Sequence, residues 1–516
     1  MRPFTVACCQ VRAYDIEDAE ENLQNLLRGL DEAGRAGAQL VGLPECAYPA
    51  YYLRDANPYA RPGVRPFDEV FGLFAAKAKQ YGYWLAAGMA VPLADGTVVN
   101  SGVIFDPEGE ARGRYDKSFL WHFDNDWFAP GGRFPVFDAG FCRFGVLICA
   151  DGRQPEVARS LAVNGAEVIL DLTAWVSWGR TVPELSTTQC EYLMPVRAFE
   201  NGAWVAAADK WGPEDGTIIY AGRSCVIDPE GTVRVCAPSD RDAVVTFDIE
   251  PMERELTPRR PALYGRLVEP TASLPVTALL DEPLVPAREN RRIAVVPGNG
   301  GFDAAAVVAR YEALRCQGAD LVVFAGMAGA AGWQRGLAML EKSVRTVGGS
   351  AALAVHVDGR EPRREMALVT PARTFLHTAT HGRGITLGEW PATVVETPAG
   401  RVGVLCGDEG LVPEVARCLA LEGAEILAWS VFEAGAMTEA VARARSDENR
   451  VYTAAAWPGG GVITAPTGAP LTAVPAGSGV AMAAQVNRAV ARWKDMAPGT
   501  NAILDRMPQA YGALVN

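Results

Sequence analysis

The sequence predicts a layered α/β fold present twice in one chain, and two patterns carry that expectation. Short apolar runs alternate with helix-length amphipathic stretches, as in Ala19 to Ala36, Gln39 to Leu43, Phe67 to Tyr81 and Trp84 to Ala90. Such alternation favours sheets covered by helices. The second pattern is an internal match at constant spacing: Pro155-Glu156-Val157-Ala158-Arg159 recurs as Pro413-Glu414-Val415-Ala416-Arg417, and Gly165-Ala166-Glu167 as Gly423-Ala424-Glu425, both at an offset of 258 (413 minus 155, 423 minus 165). With gaps, Gly37-Ala38-Gln39-Leu40-Val41 pairs with Gly318-Ala319-Asp320-Leu321-Val322, and Glu200-Asn201 with Glu448-Asn449. A tandem duplication follows.

A length of 516 residues suits two large domains. The stretch from Pro270 to Asn290, with Pro270, Pro275, Pro283 and Pro286, is poor material for a helix or a central strand. The expected domains are therefore 1–270 and 291–516, joined by a Pro-rich linker over 271–290. Hydrophobic residues at 49% and charged residues at 21% fit a soluble globular protein. A formal charge of -13 without a dense Lys/Arg run argues against a nucleic-acid partner. No apolar run reaches the ~18 residues of a membrane span. Met1 to Gln10 reads as a short apolar strand rather than a signal peptide, so a cytoplasmic protein is expected. The eleven cysteines form no CxxC pair, which fits reduced thiols better than disulfides or zinc.

Three segments of the first half concentrate chemistry. Leu40-Val41-Gly42-Leu43-Pro44-Glu45 ends an apolar run in a carboxylate, at the strand edge where α/β sheets present functional groups. Tyr115-Asp116-Lys117 precedes the aromatic stretch Trp121-His122-Phe123-Asp124-Asn125-Asp126-Trp127-Phe128. Phe144-Gly145-Val146-Leu147-Ile148-Cys149-Ala150-Asp151-Gly152-Arg153 ends a second buried run in a thiol and a turn. Taken singly, these are a core cysteine, a loop glutamate and a surface lysine.

In this order, and with Arg197-Ala198-Phe199-Glu200-Asn201-Gly202, Gly222-Arg223-Ser224 and Asp228-Pro229-Glu230-Gly231 downstream, they resemble the nitrilase or carbon-nitrogen hydrolase superfamily over Pro3 to about Glu250. The resemblance implies a four-layer αββα sandwich, two copies of which would pack as an intramolecular pseudo-dimer. It implies a Glu45, Lys117, Cys149 triad cleaving a non-peptide C–N bond through a thioester, with no metal or organic cofactor.

Elementary chemistry agrees with that implication. A thiol of pKa about 8.5 is mostly protonated at neutral pH and needs a base, which Glu45 can supply. Lys117 and the backbone N–H of Ala150 would stabilise the oxyanion. In the resemblance Asp124 takes the place of the family's second glutamate, with Asp126 as the other candidate. Arg153 matches an arginine that holds the substrate carboxylate in N-carbamoylases, whereas Asp151-Gly152 is similar to the turn of aliphatic amidases. A local salt bridge with Glu156 is the alternative for Arg153. Trp121, Trp127 and Trp175 would wall the pocket or simply pack, and His122 reads as a pocket or packing residue.

The expected substrate is a small amide or N-carbamoyl compound releasing ammonia. A nitrile substrate and a non-catalytic binding scaffold are the alternatives.

In the second half the offset carries Cys149 onto Gly407, with Cys406 opposite Ile148 and facing away from the site. Glu45 aligns with Gly326, and no lysine occurs between Thr374 and Trp390. The second copy is predicted to keep the scaffold and lack the chemistry.

Overall fold

The structure is a computed structural model that describes residues 1–280, 282, 289–298, 301–329, 331–389, 391, 393–475 and 477–516. The chain forms two compact units. The first comprises Met1–Leu256 with Ala497–Thr500 and Gln509–Leu514, and the second comprises Thr257–Met496 with Asn501–Pro508 and Val515–Asn516.

In the first unit the chain runs β1 (Phe4–Arg12), α1 (Ala19–Arg35), β2 (Leu40–Gly42), α2 (Phe67–Tyr81), β3 (Trp84–Pro92), β4 (Val98–Phe105) and β5 (Ala111–Asp116). It continues through the short α3 (Asp124–Trp127), β6 (Val136–Asp138), β7 (Arg143–Ile148), α4 (Pro155–Val163), β8 (Val168–Leu172), α5 (Met194–Asn201) and β9 (Trp204–Ala208). Five further strands follow: β10 (Lys210–Glu214), β11 (Ile218–Ala221), β12 (Cys225–Ile227), β13 (Val233–Cys236) and β14 (Ala243–Ile249). The predicted helix and strand segments between residues 19 and 90 all appear where the periodicity placed them.

One sheet has the order β11-β10-β1-β2-β3-β4-β5, with β14 also paired to β1, and the other has the order β13-β12-β9-β8-β7-β6. Strands β1, β2 and β3 are mutually parallel, as are β7, β8 and β9. Their carboxyl ends therefore share an edge. Alternation along β1 splits its side chains between two cores: Ala7, Cys9 and Val11 join Leu23, Leu26 and Leu30 of α1, whereas Cys8 faces the other sheet, its thiol lying against the Cys225 carbonyl. With α4 on β7 and α5 on β9, the layers are helix, sheet, sheet, helix. This is the αββα sandwich that the resemblance implies.

The second unit repeats the plan. Its sheets run in the order Thr374–Thr378, Arg363–Val369, Ser350–Val357, Leu321–Phe324, Asn290–Val296, Met482–Asn487, and Val394–Thr397, Gly400–Cys406, Ile426–Ser430, Tyr452–Trp457, Gly460–Thr464, Pro470–Val474. Strand for strand these match β5-β4-β3-β2-β1-β14 and β6-β7-β8-β9-β12-β13. The β10–β11 hairpin has no partner in that match.

Two expectations about the junction need correction. The second unit begins at Thr257, ahead of the predicted linker, because residues 257–270 pack into it: Tyr264 is buried and its hydroxyl meets His381 Nε2 at 2.7 Å, and Arg259 pairs with Glu414 at 2.7 Å. Within the segment read as unsuited to a helix, Pro275–Leu280 is helical and buries Val276 and Leu279. Pro275 occupies the first position, where a missing N–H costs no intrahelical bond. Residues 281 and 283–288 of that segment, with Pro283 and Pro286, lie outside the described residues, as does Trp390.

Among the described residues, no helix is long and apolar enough to cross a membrane. All eleven cysteines are unpaired.

The two sheets of the first unit approach closely at Gly102 on β4, where a Cβ would lie 2.9 Å from Leu172 Cδ1 and 3.0 Å from Val146 Cγ1. Gly102→Val should overpack this layer and cost about 1–3 kcal/mol. The expected result is a lower midpoint in urea unfolding followed by circular dichroism. An unchanged midpoint would contradict the close packing described.

Candidate functional site

The site lies beyond the carboxyl ends of β2, β5, β7 and β8, where their strands stop and four short turns converge. Glu45 stands two residues past the Leu43 that follows β2, and its backbone N–H reaches the Thr173 carbonyl on the other sheet. Lys117 follows β5 directly and Cys149 follows β7 directly.

Lys117 Nζ donates to Glu45 Oε1 and to Asp124 Oδ2, each at 2.6 Å, and all three side chains are 0% exposed. Asn100 Nδ2 gives Glu45 Oε1 a second bond at 2.8 Å, and Asp124 Oδ2 also accepts the Trp121 N–H at 2.9 Å. Burial raises the Glu45 carboxyl above its usual range; the Lys117 charge opposes this and the Asp124 charge adds to it. Burial works against the Lys117 ammonium, but the Asp124 and Glu45 carboxylates outweigh it and hold that ammonium charged. A base of raised affinity for protons thus sits beside a permanent cation.

Cys149 opens the 3-10 turn Cys149–Arg153 with φ +47°, a left-handed conformation that side chains other than glycine adopt only at a cost of about 1–3 kcal/mol. Its N–H donates to Asp171 Oδ1 at 3.0 Å, Gln189 Nε2 donates to its carbonyl at 2.6 Å, and its Sγ lies 3.8 Å from the Ala174 carbonyl. Gln189 opens a π-helical turn, Gln189–Leu193, that leads into α5. Burial, then the Glu45 charge, pushes the thiol well above its ordinary pKa, against the pull of Lys117. The thiol is protonated at rest and within the electrostatic reach of both groups. Ala150 is the second residue of the turn, where helical N–H groups lack an upstream acceptor.

Asp151 ties these turns together. Its Oδ1 accepts from Ser118 N, Ser118 Oγ and Phe119 N at 3.2, 2.8 and 2.8 Å, and its Oδ2 accepts from Tyr115 Oη and Ile148 N at 2.8 and 3.0 Å. One carboxylate therefore fixes the end of β7 against the end of β5. The β10–β11 hairpin adds a further clamp. Lys210 Nζ donates to the Cys46 carbonyl at 3.0 Å, and Glu214 Oε1 accepts the N–H groups of Tyr51 and Tyr52 at 2.9 and 2.8 Å. The buried Tyr51 ring lies 5.6 Å from Lys117 Nζ.

Of the residues singled out from sequence, Lys117 contacts both Glu45 and Asp124, and Cys149 feels the charges of Glu45 and Lys117. Asp126 is exposed, so Asp124 is the acid that reaches Lys117. Arg153 is buried, with its guanidinium 4.8 Å from the centre of the half-buried Trp121 ring and Nη1 3.1 Å from Thr188 Oγ1. Trp175 is fully buried just past Ala174, and Trp127 packs edge-on against Tyr52. His122, read as a pocket or packing residue, has an exposed side chain at φ +47°, and its ring meets Phe123.

Sequence reasoning missed Asn100, Asp151, Asp171, Gln189 and the hairpin. Asp151 alone left a trace, since the offset of 258 sets it opposite another acid, Glu409.

The second unit repeats the same backbone arrangement with other residues at the matching positions. Glu409 accepts from Thr380 N and Oγ1 and from Cys406 N, as Asp151 does from Ser118 and Ile148. Gly407 stands at the Cys149 position with φ +62°. The Gly326 N–H reaches the Val431 carbonyl as Glu45 reaches Thr173, and Ala379, following the strand Thr374–Thr378, stands where Lys117 does. The space is closed instead by Phe432 and Arg364, whose guanidinium lies 4.8 Å from that ring and bonds Asp408 at 2.9 Å.

The first αββα sandwich gathers the Cys149 thiol, held at positive φ, with a buried carboxylate and a buried ammonium beyond the ends of its strands. The chain matches the carbon-nitrogen hydrolase family over residues 5–259 and again over 355–495, and it belongs to that family. It resembles the protein called nitrilase in Pyrococcus abyssi, 32% identical over 238 residues that make up 46% of this chain and 86% of that one. Omega-amidase NIT2-B of Xenopus laevis is 29% identical over 241 residues, 45% of this chain and 83% of that protein. A solved amidase from Nesterenkonia sp. aligns at 26% identity with a TM-score of 0.43, over 48% of this chain and 90% of the other. The protein is a carbon-nitrogen hydrolase.

Asp151→Ala would leave the buried N–H groups of Ile148, Phe119 and Ser118 without acceptors, at about 1–3 kcal/mol for each left unsatisfied. The expected outcome is a clear fall in thermal unfolding temperature. Stability equal to wild type would show that Asp151 does not hold the turns together.

Proposed function

We propose that the first unit hydrolyses the amide or N-carbamoyl group of a small substrate, with Cys149 as nucleophile, Glu45 as general base and acid, and Lys117 as electrostatic support. The observation that carries this reading is the buried Lys117 ammonium held at 2.6 Å by both Glu45 and Asp124, with Cys149 within reach of their charges.

In this scheme Cys149 Sγ bonds the carbonyl carbon as its proton passes to Glu45. The C=O π electrons move to oxygen, and the oxyanion is stabilised by Lys117 and the Ala150 N–H. Collapse breaks the C–N bond, and the leaving nitrogen takes the proton from Glu45 and departs as ammonia. Water then attacks the thioester, giving its proton to Glu45. The second intermediate expels the Cys149 thiolate, which recovers that proton. The sum is amide plus water to acid plus ammonia. Asp124 contributes by orienting Lys117 and by raising the proton affinity of Glu45.

The buried Arg153, stacked on Trp121, suits a substrate carrying a carboxylate away from the scissile bond. The omega-amidase relatives support an amide, and the Pyrococcus nitrilase supports a nitrile as the second reading.

Ammonia release from amides, N-carbamoyl amino acids and nitriles separates these substrate classes. Cys149→Ala is expected to abolish turnover and to remove any acyl mass from the peptide containing residue 149. Undiminished turnover would sink the nucleophile assignment.

Because Glu45 must be ionised to take the thiol proton, activity should fall as pH drops through its raised pKa. Asp124→Asn removes a charge that raises that pKa. Its kcat should drop roughly 10–100-fold while the acid limb of the profile moves to lower pH; an acid limb moved upward would contradict the scheme.

A further inference from the structure

The turn that delivers Asp124 to Lys117 is closed by its own backbone and side chain. Asp124 N donates to the Trp121 carbonyl at 2.8 Å while Asp124 Oδ2 accepts the Trp121 N–H. Its middle is less secure, since His122 sits at φ +47° with an exposed side chain. A bulky residue in this conformation persists only when its surroundings hold it there.

What holds it comes from the far end of the chain. Thr500, buried within the first unit, accepts the His122 N–H on Oγ1 at 2.7 Å and donates the same hydroxyl to the Leu120 carbonyl at 3.3 Å. Beside it, the Gly499 carbonyl accepts from Asn125 Nδ2 at 3.1 Å, and that amide also donates to the His122 carbonyl at 3.0 Å. Ala497–Thr500 lies beyond both stretches that match the family, 5–259 and 355–495. The residues on either side of His122 are thus pinned by a segment that the family match does not include.

We infer that Thr500 is a positioning residue for the reaction: its hydroxyl, donating to one side of the Leu120–His122 bend and accepting from the other, sets the turn that places Asp124 against Lys117. A hydroxyl is the group required, because it must donate and accept at once. Threonine and serine satisfy both bonds, and valine, of the same shape as threonine, satisfies neither. The strap acts through Asp124 and touches no reacting atom.

This inference rests on the proposed roles of Lys117 and Asp124, and its test uses the full chain. With whichever amide the wild-type enzyme turns over, Thr500→Val is expected to lower kcat about 10–100-fold with a smaller effect on KM. Its acid limb should move to lower pH, as in Asp124→Asn, because Asp124 drawn away from the pair ceases to raise the Glu45 pKa. Thr500→Ser should restore both rate and profile. A loss of folded protein alone would lower active-site concentration without moving the pH limb.

Should Thr500→Val fail to fold, Asn125→Ala removes the second bond of the strap at an exposed position. It is expected to lower kcat about threefold with the same direction of pH shift. If the foldable variants match wild type in kcat, KM and pH limb while Cys149→Ala is dead, the strap has no positioning role. If Cys149→Ala retains turnover, the underlying assignment fails instead.

Discussion

A single ammonium shared by two buried carboxylates is the constraint on which the first unit is organised. Taking three charges out of water carries a desolvation penalty of several kcal/mol per ion, which close contact must offset. Lys117 meets that demand only if Glu45, at the end of one strand, and Asp124, on a turn past another, are both held at contact distance. The imbalance of two anions to one cation keeps the affinity of Glu45 for a proton high. The geometry that tolerates the buried charges therefore also sets the proton affinity of Glu45.

The second unit shows which parts belong to the scaffold. The acid that ties the two turns survives as Glu409, and the arginine that braces the following turn recurs, with Arg197 Nε and Arg445 Nε bonding the carbonyls of Gly152 and Gly410 at 2.9 Å each. Each arginine pairs with a glutamate three residues on, Glu200 or Glu448. What differs is the strained position. Cys149 holds a left-handed backbone at a cost, whereas Gly407 adopts it freely. The backbone conformation is thus kept in both copies while the residue that adopts it differs. Phe432 and Arg364 fill the vacated site, as close packing of a protein interior requires.

Among the described residues, the first unit also carries features without a counterpart in its twin. The β10–β11 hairpin places Lys210 and Glu214 behind the turn that holds Glu45 and Tyr51, and the π-helical turn before α5 brings Gln189 to the Cys149 carbonyl. Both lie where the duplicated plan has no equivalent strand pair or where the ordinary helix is interrupted, so the symmetry of the repeat could not disclose them.

Much was legible in the sequence because it is local or periodic. The alternation of apolar runs marked β1, α1, β2, α2 and β3. The offset of 258 determined the correspondence of Cys149 with Gly407, and the motifs around Glu45, Lys117 and Cys149 identified the candidate site. Long-range contact was not legible. That Asp151 bridges two strand ends and that Thr500 meets a turn near residue 122 both depend on where separated segments meet. The sequence by itself determined the periods and the residue types, since these follow from backbone geometry and from what each side chain can do. Only the tertiary structure decided which polar groups share a buried space, because that choice is settled by packing and by the cost of leaving any of them without a partner.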